Sequence, residues 1–145
     1  MRDITTAAPP LAGSRAFPAT PAQVREARRF LAAILDGRAA ADDAVACLSE
    51  LAANATIHSR SRRPGGHFTV RTELRGDHLR VEVHDEGGPW SRLPRDNEPH
   101  GRGLLIVGRL ASTWGRSGDS ATGWTVWYEM HCPVGRAAQI SMEHS

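Results

Sequence analysis

Apolar residues recur at helical spacing through Val24, Ala27, Phe30, Leu31, Ile34 and Leu35, which predicts a first helix. Thr20 followed by Pro21 supplies its start: a capping hydroxyl, then a proline in the turn where a missing N–H costs nothing. Gly37 supplies a stop. A second helix begins at Asp42 or Asp43, whose charges suit the positive end of the helix dipole. It runs to about His58 along the stripe Ala44, Val45, Leu48, Leu51, Ala52 and Ala55. The period then changes to two. Phe68, Val70, Thr72 and Leu74 alternate with His67, Thr69, Arg71 and Glu73. After the turn Arg75-Gly76-Asp77, Leu79, Val81 and Val83 alternate with Arg80, Glu82 and His84. This is a β-hairpin with one buried face, and the same alternation carries Asp85 to the buried side at the strand end. Leu104 to Leu110 reads as a short helix after a break at Gly101-Arg102-Gly103. Trp114 opens a last hairpin that turns between Gly118 and Gly123, with Trp124, Val126, Tyr128 and Met130 on one face of its final strand.

The ends of the chain lack this order. Residues 1–16 are rich in Ala, Pro, Thr and Gly and read as a flexible lead-in. After Pro133 the pattern fades into a tail over residues 134–145. The expectation is one domain across residues 17–133, and a length of 145 residues suits a single domain with a real core. Ser59 to Gly66 is loop. Glu86 to His100 is long, polar and interrupted by Pro89, Pro94 and Pro99, a length usually tied to function or disorder.

Charge and cysteines exclude more than they indicate. The formal net charge is +2, too small to argue for nucleic acid. Every basic residue is Arg, which reflects a coding background rather than a mechanism. Arg60, Arg62 and Arg63 read as an exposed loop. A nucleic-acid-binding reading would rest on them alone, without a recognition helix or stacking aromatics; Trp114, Trp124 and Trp127 are read as packing. Cys47 and Cys132 form no CxxC pair, so they suggest neither a zinc site nor a disulfide framework, but reduced thiols in a cytoplasmic protein. No apolar run approaches the roughly 20 residues that cross a bilayer, and no signal peptide is evident. His58, His84 and His100 lack metal-ligand spacing and are read as solvated or structural.

Four short motifs carry candidate chemistry. Glu50 and Asn54 lie four apart, one turn apart on one helix face. An amide oxygen can ligate Mg²⁺, and a carboxylate can accept a proton from an attacking hydroxyl. By spacing alone the pair is a solvated polar face, but it is set among Leu51, Ala52, Ala53 and Ala55, where an Asn is a poor helix former without a use. Asp85-Glu86-Gly87 follows a strand directly. An inward aspartate needs a partner, and the exocyclic amine of a purine is a suitable donor, with Gly87 permitting close approach. Alone, the triplet is also an ordinary turn signal. Gly101-Arg102-Gly103-Leu104 precedes an apolar helical stretch, where free N–H groups, the helix dipole and Arg102 favour an anion; alone, it is a flexible loop. Thr125, after Gly123, could hydrogen-bond a ligand or serve as a plain strand residue.

The order of these motifs is more specific than any one of them. Glu50-Leu51-Ala52-Ala53-Asn54, Asp85-Glu86-Gly87, Gly101-Arg102-Gly103-Leu104 and Gly123-Trp124-Thr125 resemble the succession found in Bergerat-fold ATPases. These include histidine kinase catalytic domains, gyrase-type and chaperone ATPases and anti-sigma factor serine kinases. The resemblance covers about residues 17 to 131. Within the superfamily, the short form, the opening Phe17-Pro18-Ala19-Thr20-Pro21 and Asn54-Ala55 with His58 are similar to the anti-sigma factor serine kinases and their actinobacterial ATP-binding relatives. The fold implied is α+β: a two-layer sandwich of a mixed, mostly antiparallel sheet with helices on one face. The ligands implied are ATP and Mg²⁺. By position, Glu50 is the general base and Asn54 the Mg²⁺ ligand. Asp85 binds the adenine amine with Gly87 and Thr125 nearby, and Gly101, Arg102, Gly103 and Leu104 meet the phosphates. The partners implied are a sigma factor and an antagonist protein with an acceptor serine, with homodimers common among relatives; an ATP-binding switch without phosphoryl transfer carries the same motifs. Two departures stand out: Thr56-Ile57 makes the stretch after Asn54 more apolar than usual, and the proline-rich segment Glu86–His100 is hard to align with a lid.

Overall fold

In the computed structural model, the two-residue period produces a single sheet and the helical period produces a layer against it. The elements in order are β1 (Leu11–Pro18), α1 (Pro21–Ile34), α2 (Ala41–His58), β2 (His67–Arg75), β3 (His78–His84), α3 (Gly101–Leu110), β4 (Thr113–Asp119) and β5 (Gly123–His131). The structure describes residues 11–58, 63–87, 101–119 and 121–135, with the backbone alone at residues 58 and 101–104. The strands form one five-stranded sheet in the order β1-β2-β3-β5-β4. All four pairings among the described residues are antiparallel, so the expected mixed sheet is antiparallel here throughout.

Alternation decides the two faces. Phe68, Val70, Leu74, Leu79, Val81, Val83, Val126, Tyr128 and Met130 are buried and face the helices. They meet Val24, Ala27 and Leu31 of α1, and Ala44, Leu48, Leu51, Ala52 and Ala55 of α2, in one core. Burying a side chain of this size contributes roughly 1.5–3 kcal/mol, so the layer is held chiefly by this seam. The opposite face is polar. There the Arg80 guanidinium donates to Glu82 and to Glu129 at 3.0 and 2.6 Å and stacks over Trp127 at 4.4 Å.

The first helix forms as the sequence predicts: Thr20 caps it, its hydroxyl accepting from the Gln23 N–H, and Pro21 opens it. Two expectations at the chain ends are corrected. Residues 11–16, read as flexible lead-in, belong to strand β1, paired with β2 from Leu11↔Leu74 to Pro18↔His67. This strand is exposed apart from Phe17, so no alternation marks it; backbone pairing to β2 and the stacking of Phe17 on Phe68, centroids 5.5 Å apart, hold it. Val134 and Gly135, read as tail, are pinned by the α1–α2 connection: Val134 bridges Arg38, and the Gly135 N–H donates to Gly37 O at 2.6 Å. A third correction is local. The helix read from Leu104 begins at Gly101, so Gly101-Arg102-Gly103 forms the first turn of α3 rather than a break before it.

The same connection locks one end of the sandwich. The Arg38 guanidinium donates to Gly76 O and Cys132 O at 2.9 and 3.2 Å. Cys132 Sγ donates to Ala39 O, and Tyr128 Oη, fully buried, donates to Ala44 O at 2.6 Å. Moving forward from Ala39 into α2 at Ala44 therefore means moving back from Cys132 into β5 at Tyr128. The two run antiparallel, and this direction decides which residues meet at the other end.

Candidate functional site

From Ala44 to Asn54 the helix advances about 15 Å. From Tyr128 back to Trp124 the strand covers about 13 Å. Beyond Ala44, α2 thus runs toward the end of β5 that carries Trp124, and Trp124 is the neighbour of Asp85: the Asp85 N–H donates to Trp124 O at 2.9 Å. The sheet register and the tyrosine anchor direct α2 toward the end of the layer that carries Asp85, the end opposite the Arg38 lock.

Asp85 lies on the inner face with Val83, as the alternation predicts, and is 3% exposed. Its Oδ1 accepts from the Gly87 N–H at 2.7 Å and the Trp124 N–H at 3.2 Å. Both bonds end on Oδ1, which among the described residues leaves Oδ2 as the acceptor available to a ligand. Burial pushes the Asp85 carboxyl above the ordinary aspartate range, opposed by those two N–H groups and by His84. A carboxylate that is costly to charge and has an acceptor oxygen to spare suits a neutral donor such as an amine. Gly87 and Gly123 shape its surroundings, with φ of 89° and 116°. A Cβ on Gly123 would lie 2.5 Å from Asp85 O and 2.8 Å from the His84 ring, so only glycine lets β5 enter here.

Asn54 is 3% exposed, and its Nδ2 is the one buried side-chain nitrogen or oxygen without a partner among the described residues. An unpaired buried amide costs about 1–3 kcal/mol, a cost that a bound polar group removes. Glu50, one turn earlier, is half-buried. Its charge is felt by the buried Cys47 thiol, pushed up to about 12 by burial, then by Asp43 and Glu50; that thiol is therefore protonated and unreactive. No group of three or more His, Cys, Asp or Glu that could hold a metal occurs among the described residues. An ion at Asn54 would have to be completed by a ligand's own oxygens.

The structure separates Thr125 from this cluster. Thr125 sits on the polar outer face, where its Oγ1 meets His84 Nδ1 at 2.8 Å beside Arg71 and Glu82. The reason is parity: Val126 faces the core, so Thr125 faces away and Trp124 faces Asp85's side. The residue that sequence reasoning missed at the carboxylate is therefore Trp124, through its backbone N–H. The alternation of Trp124, Val126, Tyr128 and Met130 already contained that signal. Gly101 to Leu104 lie in the first turn of α3, which packs on α2; the side chains of Arg102 and Leu104, Arg60 and Arg62, and residues 88–100 of the segment Glu86–His100 compared with a lid lie outside the described residues.

The helix-borne amide and carboxylate, the inward strand-end aspartate and the glycine-led helix are the groups for which the sequence suggests a nucleotide. The family model of the histidine kinase-like ATPase domain matches residues 17–128. The chain belongs to the histidine kinase-like ATPase family. Its sandwich is the fold of that family, and the membership makes it an ATP-binding domain. A solved chain of the SiaB–SiaC complex from Pseudomonas aeruginosa superposes with a TM-score of 0.57 at 16% identity, over 81% of this chain and 88% of that one. At that identity the likeness concerns the fold. No curated protein matches the chain. No helix among the described residues of this ATPase-family domain is long and apolar enough to cross a membrane.

Proposed function

We propose that this chain is an ATP-dependent serine kinase of the anti-sigma type, which binds ATP with Mg²⁺, phosphorylates a serine of a small antagonist protein and sequesters a sigma factor. The observation that carries the reading is the presence, in an ATPase-family fold, of both an inward aspartate with an oxygen to spare and the unpartnered buried amide of Asn54. Asp85 Oδ2 accepts from the adenine amine. The Asn54 amide, turned about its terminal bond, offers its carbonyl oxygen as a hard ligand; the ion when bound supplies charge that offsets the phosphates. Gly101, Arg102, Gly103 and Leu104 stand at the N-terminus of α3, whose free N–H groups and dipole suit phosphate oxygens. Glu50 takes the proton of the attacking serine hydroxyl as its oxygen bonds to the γ-phosphorus and ADP leaves. A protein partner is supported by the neighbour's having been solved as a two-protein complex.

Incubation with labelled ATP and a candidate antagonist tests this. Label is expected on the antagonist serine with the wild-type chain, and none with Glu50→Gln, while both bind ATP with the same affinity. ATP binding without transfer to any antagonist sinks the kinase role and leaves an ATP-gated binding protein.

A further inference from the structure

We propose that Trp124 is the nucleobase-stacking residue of this domain: its indole forms the wall against which an aromatic base held by Asp85 lies. The inference rests on the ATP reading of the site and names a contact that reading does not contain. Trp124 and Asp85 are bonded neighbours, the Asp85 N–H to Trp124 O and the Trp124 N–H to Asp85 Oδ1. Both side chains lie on the helix-facing side, Trp124 with Val126 and Tyr128, Asp85 with Val83. Side chains directly opposite on one face start about 4.5–5.5 Å apart, so a base hydrogen-bonded to Asp85 lies within reach of the indole.

The strand on the other side shapes the indole further. Trp124 is paired with Gly118, which carries no side chain. Arg116, on the diagonal, therefore leans across, its Cζ 4.6 Å from the Trp124 ring centroid. The ring is packed against the core but only half-buried. A large aromatic held from one side by a guanidinium and from below by the core has few ways to turn aside. It is preorganised for stacking. Stacking tolerates any base, whereas the carboxylate selects an amine donor. Trp124 thus contributes affinity and Asp85 selectivity.

The test uses the full chain. ATP affinity is measured by calorimetry for wild type, Trp124→Phe and Trp124→Ala, with apo melting curves as the check on folding, and ATP-induced quenching of tryptophan emission is recorded for wild type and Trp124→Phe. Expected are a loss of about 5- to 100-fold for Trp124→Ala, retention within about 3-fold for Trp124→Phe because a phenyl ring still stacks, and a quench present in wild type that disappears in Trp124→Phe. A quench that persists unchanged in Trp124→Phe, or wild-type affinity in Trp124→Ala, overturns the assignment while ATP binding stands. A wild-type chain that binds no ATP overturns the underlying reading and this one together.

Discussion

Replacing Asp85 by Asn changes one oxygen of the site and little else. Oδ1 accepts from the Gly87 and Trp124 N–H groups, and the amide oxygen of Asn reproduces both bonds. The turn and the β3–β5 junction therefore survive. Turning the amide around would set its NH₂ against two N–H donors, so the orientation is dictated. What changes is Oδ2, which becomes a donor where the proposed site needs an acceptor for the adenine amine. The loss is one hydrogen bond to a charged acceptor, about 1.5–3 kcal/mol, or roughly 10- to 150-fold in affinity.

The apo protein responds with the opposite sign. Burial raises the Asp85 pKa, so folding binds its proton more tightly than the unfolded chain does. By linkage, stability is greatest below the unfolded value and falls as pH rises through the folded one. At neutral pH Asp85→Asn removes that cost, and the apo domain is expected to be as stable as wild type or more so. For ATP the wild type loses affinity on acidification through the raised pKa, because a protonated carboxyl no longer accepts freely; Asp85→Asn lacks that limb. Calorimetry across pH 4–8 (a range set by roughly the aspartate pKa and its upward shift) with urea unfolding of the apo protein reads both. Unchanged ATP affinity, or an apo domain clearly destabilised at neutral pH, would refute the reasoning and make Asp85 a turn residue.

Two further outcomes test the register and the anchor. Thr125→Val removes a contact with His84 on the outer face and is expected to leave ATP affinity within about 2-fold, at a stability cost under roughly 1 kcal/mol; a tenfold loss of affinity in a fully folded variant would place Thr125 in the site after all. Tyr128→Phe removes the buried bond to Ala44 O and is expected to lower unfolding free energy in urea by about 1–2 kcal/mol; an unchanged midpoint would show that this bond does not anchor α2.

The elements were legible where both faces of a segment differ. The helix at Pro21–Ile34 and the hairpin His67–His84 alternate strongly between core and solvent, so their period is written in residue types; the helix Ala41–His58 is buried or half-buried along most of its length and is marked instead by its acidic start and continuous apolar stripe. Strand β1 was not legible, because its burial is nearly uniform and its partners in β2 lie 49 to 63 residues on, from Pro18↔His67 to Leu11↔Leu74. Gly101-Arg102-Gly103 looked like a break because two glycines disfavour a helix, and packing of α3 on α2 overrides that preference.

For the site, the sequence by itself determined the chemistry: the carboxylate and amide of Glu50 and Asn54, the inward side of Asp85, and the glycines that let the backbone approach. These are properties of residue type and period, and they do not depend on what lies across the layer. Only the tertiary structure decided which strand neighbours surround Asp85 and which way α2 runs. The direction of α2 against β5, set by Ala39–Cys132 and Ala44–Tyr128, points the helix toward Asp85's end. The register of β5 against β3 sets Trp124 at the carboxylate and turns Thr125 away. A shift of one residue in a strand exchanges its two faces, so motif spacing alone could not separate Trp124 from Thr125, whereas two hydrogen bonds across the sheet do.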